Sequence, residues 1–226
     1  MNQVIYEPVP EYDRDTALHE IESGNSEKVV RALLSLAFYD TDWRSVQNLC
    51  VNFSNDLNEN VRGIAILCFG YIAHFQASLD TQVAIPIVIE RMNDSSTFVR
   101  GNAYDALEDI LMFCTPPNYS RVGALDLLKA EQIDKNLLGL FAITKNDTDS
   151  EFAQEICLKY SSHPEEIIRG QALKGFATII YEHRQIDLEK VLPILSGAAK
   201  NDGYAGECAR IAIECIETYL EAGDSD

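Results

Sequence analysis

Basic side chains are scarce in this sequence: 18 lysines and arginines stand against 36 aspartates and glutamates, a formal charge of −18 with a pI near 4.5. Nucleic acid is therefore excluded as an expected ligand, because its binding depends on clustered cations displacing phosphate counterions. Long apolar runs are missing too. No stretch approaches the roughly 18 apolar residues of a membrane span, and the start, MNQVIYEPVPEYDRD, lacks the basic-then-apolar layout of a secretory signal. A cytoplasmic chain with no membrane contact is the expectation.

Chemistry-bearing motifs are equally sparse. Cys50, Cys68, Cys114, Cys157, Cys208 and Cys215 form no Cys-x-x-Cys pair and have no histidine at zinc-ligand spacing. Most sit in apolar helical patterns and read as reduced core thiols. His19, His74, His163 and His183 are scattered, with no His-Glu-x-x-His arrangement. They read as surface or packing residues, with His74 and His183 near helix C-termini that favour a cation. Gly63, Gly70, Gly101 and Gly170 occur singly inside helical patterns, which suits close helix packing and not a phosphate loop. No nucleophile, base or carboxylate pair converges in the sequence, so no catalytic residue, cofactor or metal is expected.

What the sequence does contain is a duplication. A shift of 107 residues lays Gln47, Cys50, Ser54, Arg62, Gly63, Ala65, Phe69, Ile72, Asp80 and Pro86 on Gln154, Cys157, Ser161, Arg169, Gly170, Ala172, Phe176, Ile179, Asp187 and Pro193. One residue is then lost, and at a shift of 106 Ala103, Ala106, Glu108 and Ile110 fall on Ala209, Ala212, Glu214 and Ile216. A finer period is marked by Val30, Val61, Val99, Leu137, Ile168 and Ala205, spaced 31, 38, 38, 31 and 37 residues apart. Periods of this size with apolar residues at three- and four-residue steps, as in Val99, Ala103, Ala106, Leu107 and Ile110, denote stacked helix pairs. Asp80 and Asp187 stand where each can cap a following helix, and polar turns fall at 55–58, 93–96 and 162–165.

The segments VNFSNDLNENVRGIAILCFGYI and ERMNDSSTFVRGNAYDALEDIL resemble HEAT repeats, with Asn-Asp, a turn, then Val-Arg and small residues opening a second helix. Pro86 and Pro193 lie inside first helices, as HEAT prolines often do. The resemblance implies an all-α fold: an α-solenoid of about six HEAT-like helix pairs, in a tandem duplication of three pairs. It is expected as a single domain, with a tail over 1–13, three pairs over 14–115, three over 119–221 and a tail over 222–226. The pairs around Leu137 and Ala205 lack Val-Arg. VRGIAILCFGYIAHFQASLD followed by VRGNAYDALEDILMF also resembles small bacterial HEAT-repeat immunity proteins of polymorphic toxin systems. That likeness implies a non-enzymatic chain, monomeric when free, that neutralises one basic toxin domain, such as a nuclease, by binding it.

Affinity in such a chain comes from a few aromatic anchors. Tyr71, Phe75, Tyr104 and Tyr181 are candidates, because the resemblance places second helices on the concave face; each also fits a partly buried packing role. His74 and Glu182 accompany them. Asp105, Glu108 and Asp109 form an acidic cluster suited to steering a basic partner, or simply to solvation. Trp43 reads as packing between repeats. A general adaptor is the alternative function, followed by a HEAT-type DNA glycosylase or a bilin-lyase-like enzyme.

Overall fold

A computed structural model of the chain describes residues 8–116 and 118–223. These contain twelve helices and no strand: α1 (Arg14–Glu22), α2 (Ser26–Tyr39), α3 (Trp43–Phe53), α4 (Glu59–Gln76), α5 (Thr81–Arg91), α6 (Thr97–Cys114), α7 (Arg121–Lys129), α8 (Ile133–Asn146), α9 (Ser150–Tyr160), α10 (Glu166–His183), α11 (Leu188–Ala198) and α12 (Tyr204–Gly223). The expected tails at 1–7 and 224–226 lie outside the described residues. The helices fall into two compact units that divide between Cys114 and Thr115.

Each unit is a stack of three helix pairs. In the first, α2 packs on α4 and α4 on α6, while α1, α3 and α5 each pack against the second helix of their own pair. In the second, α8, α10 and α12 are stacked in the same order, with α7, α9 and α11 beside them. The stripe Val61, Ala65, Phe69 and Ile72 is buried on α4, as are its counterparts Ile168, Ala172, Phe176 and Ile179 on α10. Burying one such large apolar side chain stabilises by about 1.5–3 kcal/mol. No single pair could bury its stripe alone, which is why three are needed in each unit.

The duplication is visible down to single hydrogen bonds. Gln47 Oε1 accepts from the Asp80 N–H at 2.9 Å, and Gln154 Oε1 from the Asp187 N–H at 2.7 Å. Arg14 pairs with Asp40 at 2.7 Å and Asp42 at 3.3 Å, while Arg121 pairs with Asp147 at 2.5 Å and Asp149 at 3.4 Å. Arg62 donates to the carbonyls of Asp56 and Leu57, and Arg169 to those of His163 and Pro164. Left-handed residues end α4 and α10 at matching positions, Ala77 (φ 44°) and Arg184 (φ 55°).

Three expectations need correction. Asp187 caps α11 through the Lys190 N–H, but the Asp80 side chain makes no cap bond to α5. The reason is one residue: Lys190 Nζ also holds the Asp187 carboxylate at 2.8 Å, and its counterpart is Val83. Gly63, Gly70 and Gly170 sit in close packing, but an added Cβ on Gly101 would meet nothing within 4 Å. Among the thiols, Cys50, Cys68, Cys157 and Cys208 are buried, whereas Cys114 is half-buried and Cys215 exposed.

One buried ion pair distinguishes the first unit. Arg62 Nε and Nη2 reach both oxygens of Asp94 at 2.8 and 2.9 Å, and the Ser96 N–H adds a bond at 2.9 Å. Arg91 lies 3.6 Å away. The Arg62 guanidinium, against an opposing burial effect, holds the Asp94 carboxyl well below the usual carboxylate range. A carboxyl depressed on folding contributes stability that is present above its unfolded value near pH 4 and is lost as pH falls through the folded value. Asp94→Ala is expected to cost about 3 kcal/mol at pH 7, measured by urea unfolding. It should also shrink the stability loss between about pH 4 and 2.

Candidate functional site

The second helices of the first unit run side by side, so their C-terminal ends share one edge. Phe38 is the penultimate residue of α2, Phe75 of α4 and Phe113 of α6. The rings of Phe38 and Phe75 lie 4.5 Å apart, and Phe38 meets Tyr71 edge-on at 4.7 Å. His74 stacks on Phe75 at 4.6 Å and on Phe113 at 4.2 Å, and Tyr39 extends the row from Phe38 at 5.9 Å. One continuous aromatic row thus crosses three repeats. Part of it faces solvent: Tyr39 is 45% and Phe75 46% exposed. Met112, 48% exposed, adds apolar surface on α6.

Beside the row, α6 carries Asp105, Glu108 and Asp109. Asp109 lies over Gly70 of α4: a Cβ there would come within 3.0 Å of the Asp109 Cβ and Oδ2 and 3.1 Å of the Ala106 Cα. Glycine therefore lets α6 close on α4 with a carboxylate at the seam. Burial raises the pKa of Asp109; His74 opposes the rise, and Asp105 and Glu108 add to it. No lysine or arginine occurs between Arg62 and Arg91 or between Arg100 and Arg121, so this edge is anionic. The negative ends of three helix dipoles add to the same field.

The second unit keeps the scaffold and changes this edge. Phe38, Tyr71, His74 and Phe75 correspond to Lys145, Thr178, Tyr181 and Glu182 at a shift of 107, and Asp105, Asp109 and Phe113 to Ile211, Cys215 and Tyr219 at a shift of 106. Where the first unit stacks two phenylalanines, the second pairs Lys145 with Glu182. Gly70 becomes Ala177 together with the loss of the carboxylate it admits.

Of the residues picked from sequence, Tyr71, His74, Phe75 and Asp109 come together here, with Asp105 one turn before Asp109. Glu108 is half-buried on the same helix, and Tyr104, also half-buried, lies further from its end. Tyr181, 78% exposed, and Glu182 belong to the second unit. Sequence reasoning missed Phe38, Tyr39 and Phe113. A signal existed for one of them, since Phe75 and Phe113 are 38 residues apart, as are Val61 and Val99.

A second feature lies in the other unit, a surface depression lined by Lys129, Asn136, Lys159, Tyr160 and His163. Two of its polar groups are already engaged: Asn136 donates to the carbonyls of Leu127, Leu128 and Ala130, and the Tyr160 hydroxyl to that of Leu128. They fasten the α7–α8 turn. Among the described residues no three His, Cys, Asp or Glu side chains are grouped to hold a metal, and no helix is long and apolar enough to cross a membrane.

No known protein family matches the chain, and no curated protein matches it. Among solved structures, the crystal structure of a CDI complex from Cupriavidus taiwanensis LMG 19424 contains a similar chain, 28% identical. The match covers 50% of this chain and 99% of that one, with a TM-score of 0.46. The helical-repeat class of this chain rests on its own helices.

Two glycines, Gly70 at this seam and Gly101 away from it, make opposite predictions. Gly70→Ala is expected to destabilise by about 1–3 kcal/mol through overpacking against Ala106 and Asp109. Gly101→Ala, in open space on α6, should stabilise by about 0.5–1 kcal/mol. Urea unfolding of both variants checks the pair.

Proposed function

We propose that the chain is a non-catalytic protein-binding module, an immunity protein that neutralises one basic toxin domain by direct binding through the aromatic edge of its first unit. The observation that carries the binding reading is the partly exposed row of Phe38, Phe75, His74 and Phe113. Exposed aromatics clustered with a charged margin are the composition of an interface centre. The acidic margin and the −18 charge favour a basic partner, by steering more than by affinity. The toxin-neutralising part of the reading draws on the sequence resemblance to immunity proteins.

The division of labour between rings and carboxylates is testable. With the full chain as bait, one basic protein should be retained through a high-salt wash in a one-to-one complex. Phe75→Ala should weaken that complex about 30-fold, or about 2 kcal/mol, chiefly by faster dissociation, with little effect on stability. Reversing the charges of Asp105 and Glu108 together should instead slow association about tenfold at low salt, with the difference fading in high salt. Expression of the captured protein alone should arrest growth, and co-expression of this chain should relieve the arrest. Many partners, all released by salt, would point to a general adaptor.

A further inference from the structure

The second unit contains a working example of how this protein satisfies a ring and a carboxylate together. The Arg121 guanidinium lies 4.1 Å from the centroid of the Phe152 ring while its Nε and Nη2 bond both oxygens of Asp147 at 2.7 and 2.5 Å. Arginine suits that task because its planar fork stacks on an aromatic face and pairs with a carboxylate through two parallel bonds. The aromatic edge of the first unit has the same two components without the arginine. Phe75, His74 and Phe113 supply the rings, and Asp109 lies over Gly70, one helical turn before His74 on α4. Among the described residues no ion pair or hydrogen bond is made to the Asp109 carboxylate. The lysine and arginines of this unit are engaged elsewhere, Arg14 with Asp40, Lys28 with Glu20, Arg31 with Glu27, Arg44 over Trp43, Arg62 and Arg91 with Asp94, and Arg100 with the Asp94 and Ser95 carbonyls. In the duplicated unit the carboxylate, its glycine and the Phe75 ring are replaced by Cys215, Ala177 and Glu182.

We infer that the aromatic edge of the first unit docks a partner arginine, whose guanidinium stacks on the Phe113–His74–Phe75 row and pairs with Asp109. The inference rests on the protein-binding reading and narrows it to the chemistry of the central contact. The field of this edge favours a cation, since three helix C-termini, Asp105 and Glu108 all face it with the same sign. Lysine offers a point charge without the planar fork, so it fills the same place less well.

Three short acetylated peptides test this on the intact chain: Gly-Arg-Gly-Arg-Gly amide, its lysine counterpart, and its citrulline counterpart, which keeps the shape and removes the charge. Binding is followed by NMR chemical shifts of the full chain. The arginine peptide is expected to shift resonances of residues 38–39, 71–75 and 109–113 saturably, about tenfold more tightly than citrulline and about threefold more tightly than lysine. Asp109→Asn should weaken it about tenfold, whereas Tyr181→Ala in the second unit should leave it unchanged. Asp109→Asn keeps the size of the side chain, and its unperturbed spectrum elsewhere would show an intact fold. The inference is overturned if no local shift occurs, if shifts spread over the acidic surface equally for arginine and lysine, or if Asp109→Asn has no effect. Should that happen while Phe75→Ala still weakens the captured complex, the docking face stands and only the arginine assignment falls.

Discussion

Every feature of the candidate surface follows from a helix pair being unable to bury its own apolar stripe. Val61, Ala65, Phe69 and Ile72 of α4 reach full burial only because α2 and α6 lie along either side. Side-by-side stacking forces the second helices to run in one direction, which brings their C-termini to a common edge. Residues next to last on each helix are thereby brought to that edge, Phe38 against Phe75 and Phe113 joined to Phe75 through His74. In the first unit the next-to-last residue is phenylalanine three times over. Solenoid geometry thus brings three separated positions of the chain to one edge, and the side chains that stand there make the row.

Duplication supplies an internal control on which residues serve the scaffold. Gln47 and Gln154, Arg14 and Arg121, Arg62 and Arg169, and the left-handed Ala77 and Arg184 hold the same places in both units. Gly63 and Gly170 likewise each lie under a ring of the next second helix, Phe98 and Tyr204. These positions fasten turns and set helix spacing, and any copy needs them. Phe38, Phe75 and the Asp109–Gly70 seam are not needed to fold a three-pair stack, since the second unit folds with Lys145, Glu182, Cys215 and Ala177 in their place. Their presence in one copy alone is what a binding role predicts and a packing role does not.

The fold was legible because its signals are local. Apolar steps of three and four residues, polar turns and the period of 31 to 38 residues all lie within single repeats, and α8 and α12 formed even without Val-Arg. The aromatic row was only half legible. Tyr71, His74 and Phe75 share one helix, but Phe38 escaped because α2 has 14 residues where α4 has 18. Its end therefore falls out of register with the repeat marker at Val30. The missing Asp80 cap had a similar cause, for it turns on Val83 standing where the second copy has Lys190, a difference between side chains that a capping rule applied to one residue does not see. Gly101 looked like Gly70 in sequence, and only the neighbouring helix distinguishes them.

The central claim is that one edge of the first unit meets the partner. Hydrogen exchange of the full chain, alone and saturated with its captured partner, tests this residue by residue without altering either protein. The account predicts slowed exchange at 34–39, 70–77 and 108–115, with the ends of α8, α10 and α12 unchanged. Protection at the ends of α8 and α10, or along the first helices, with the ends of α2, α4 and α6 unaffected, would contradict it.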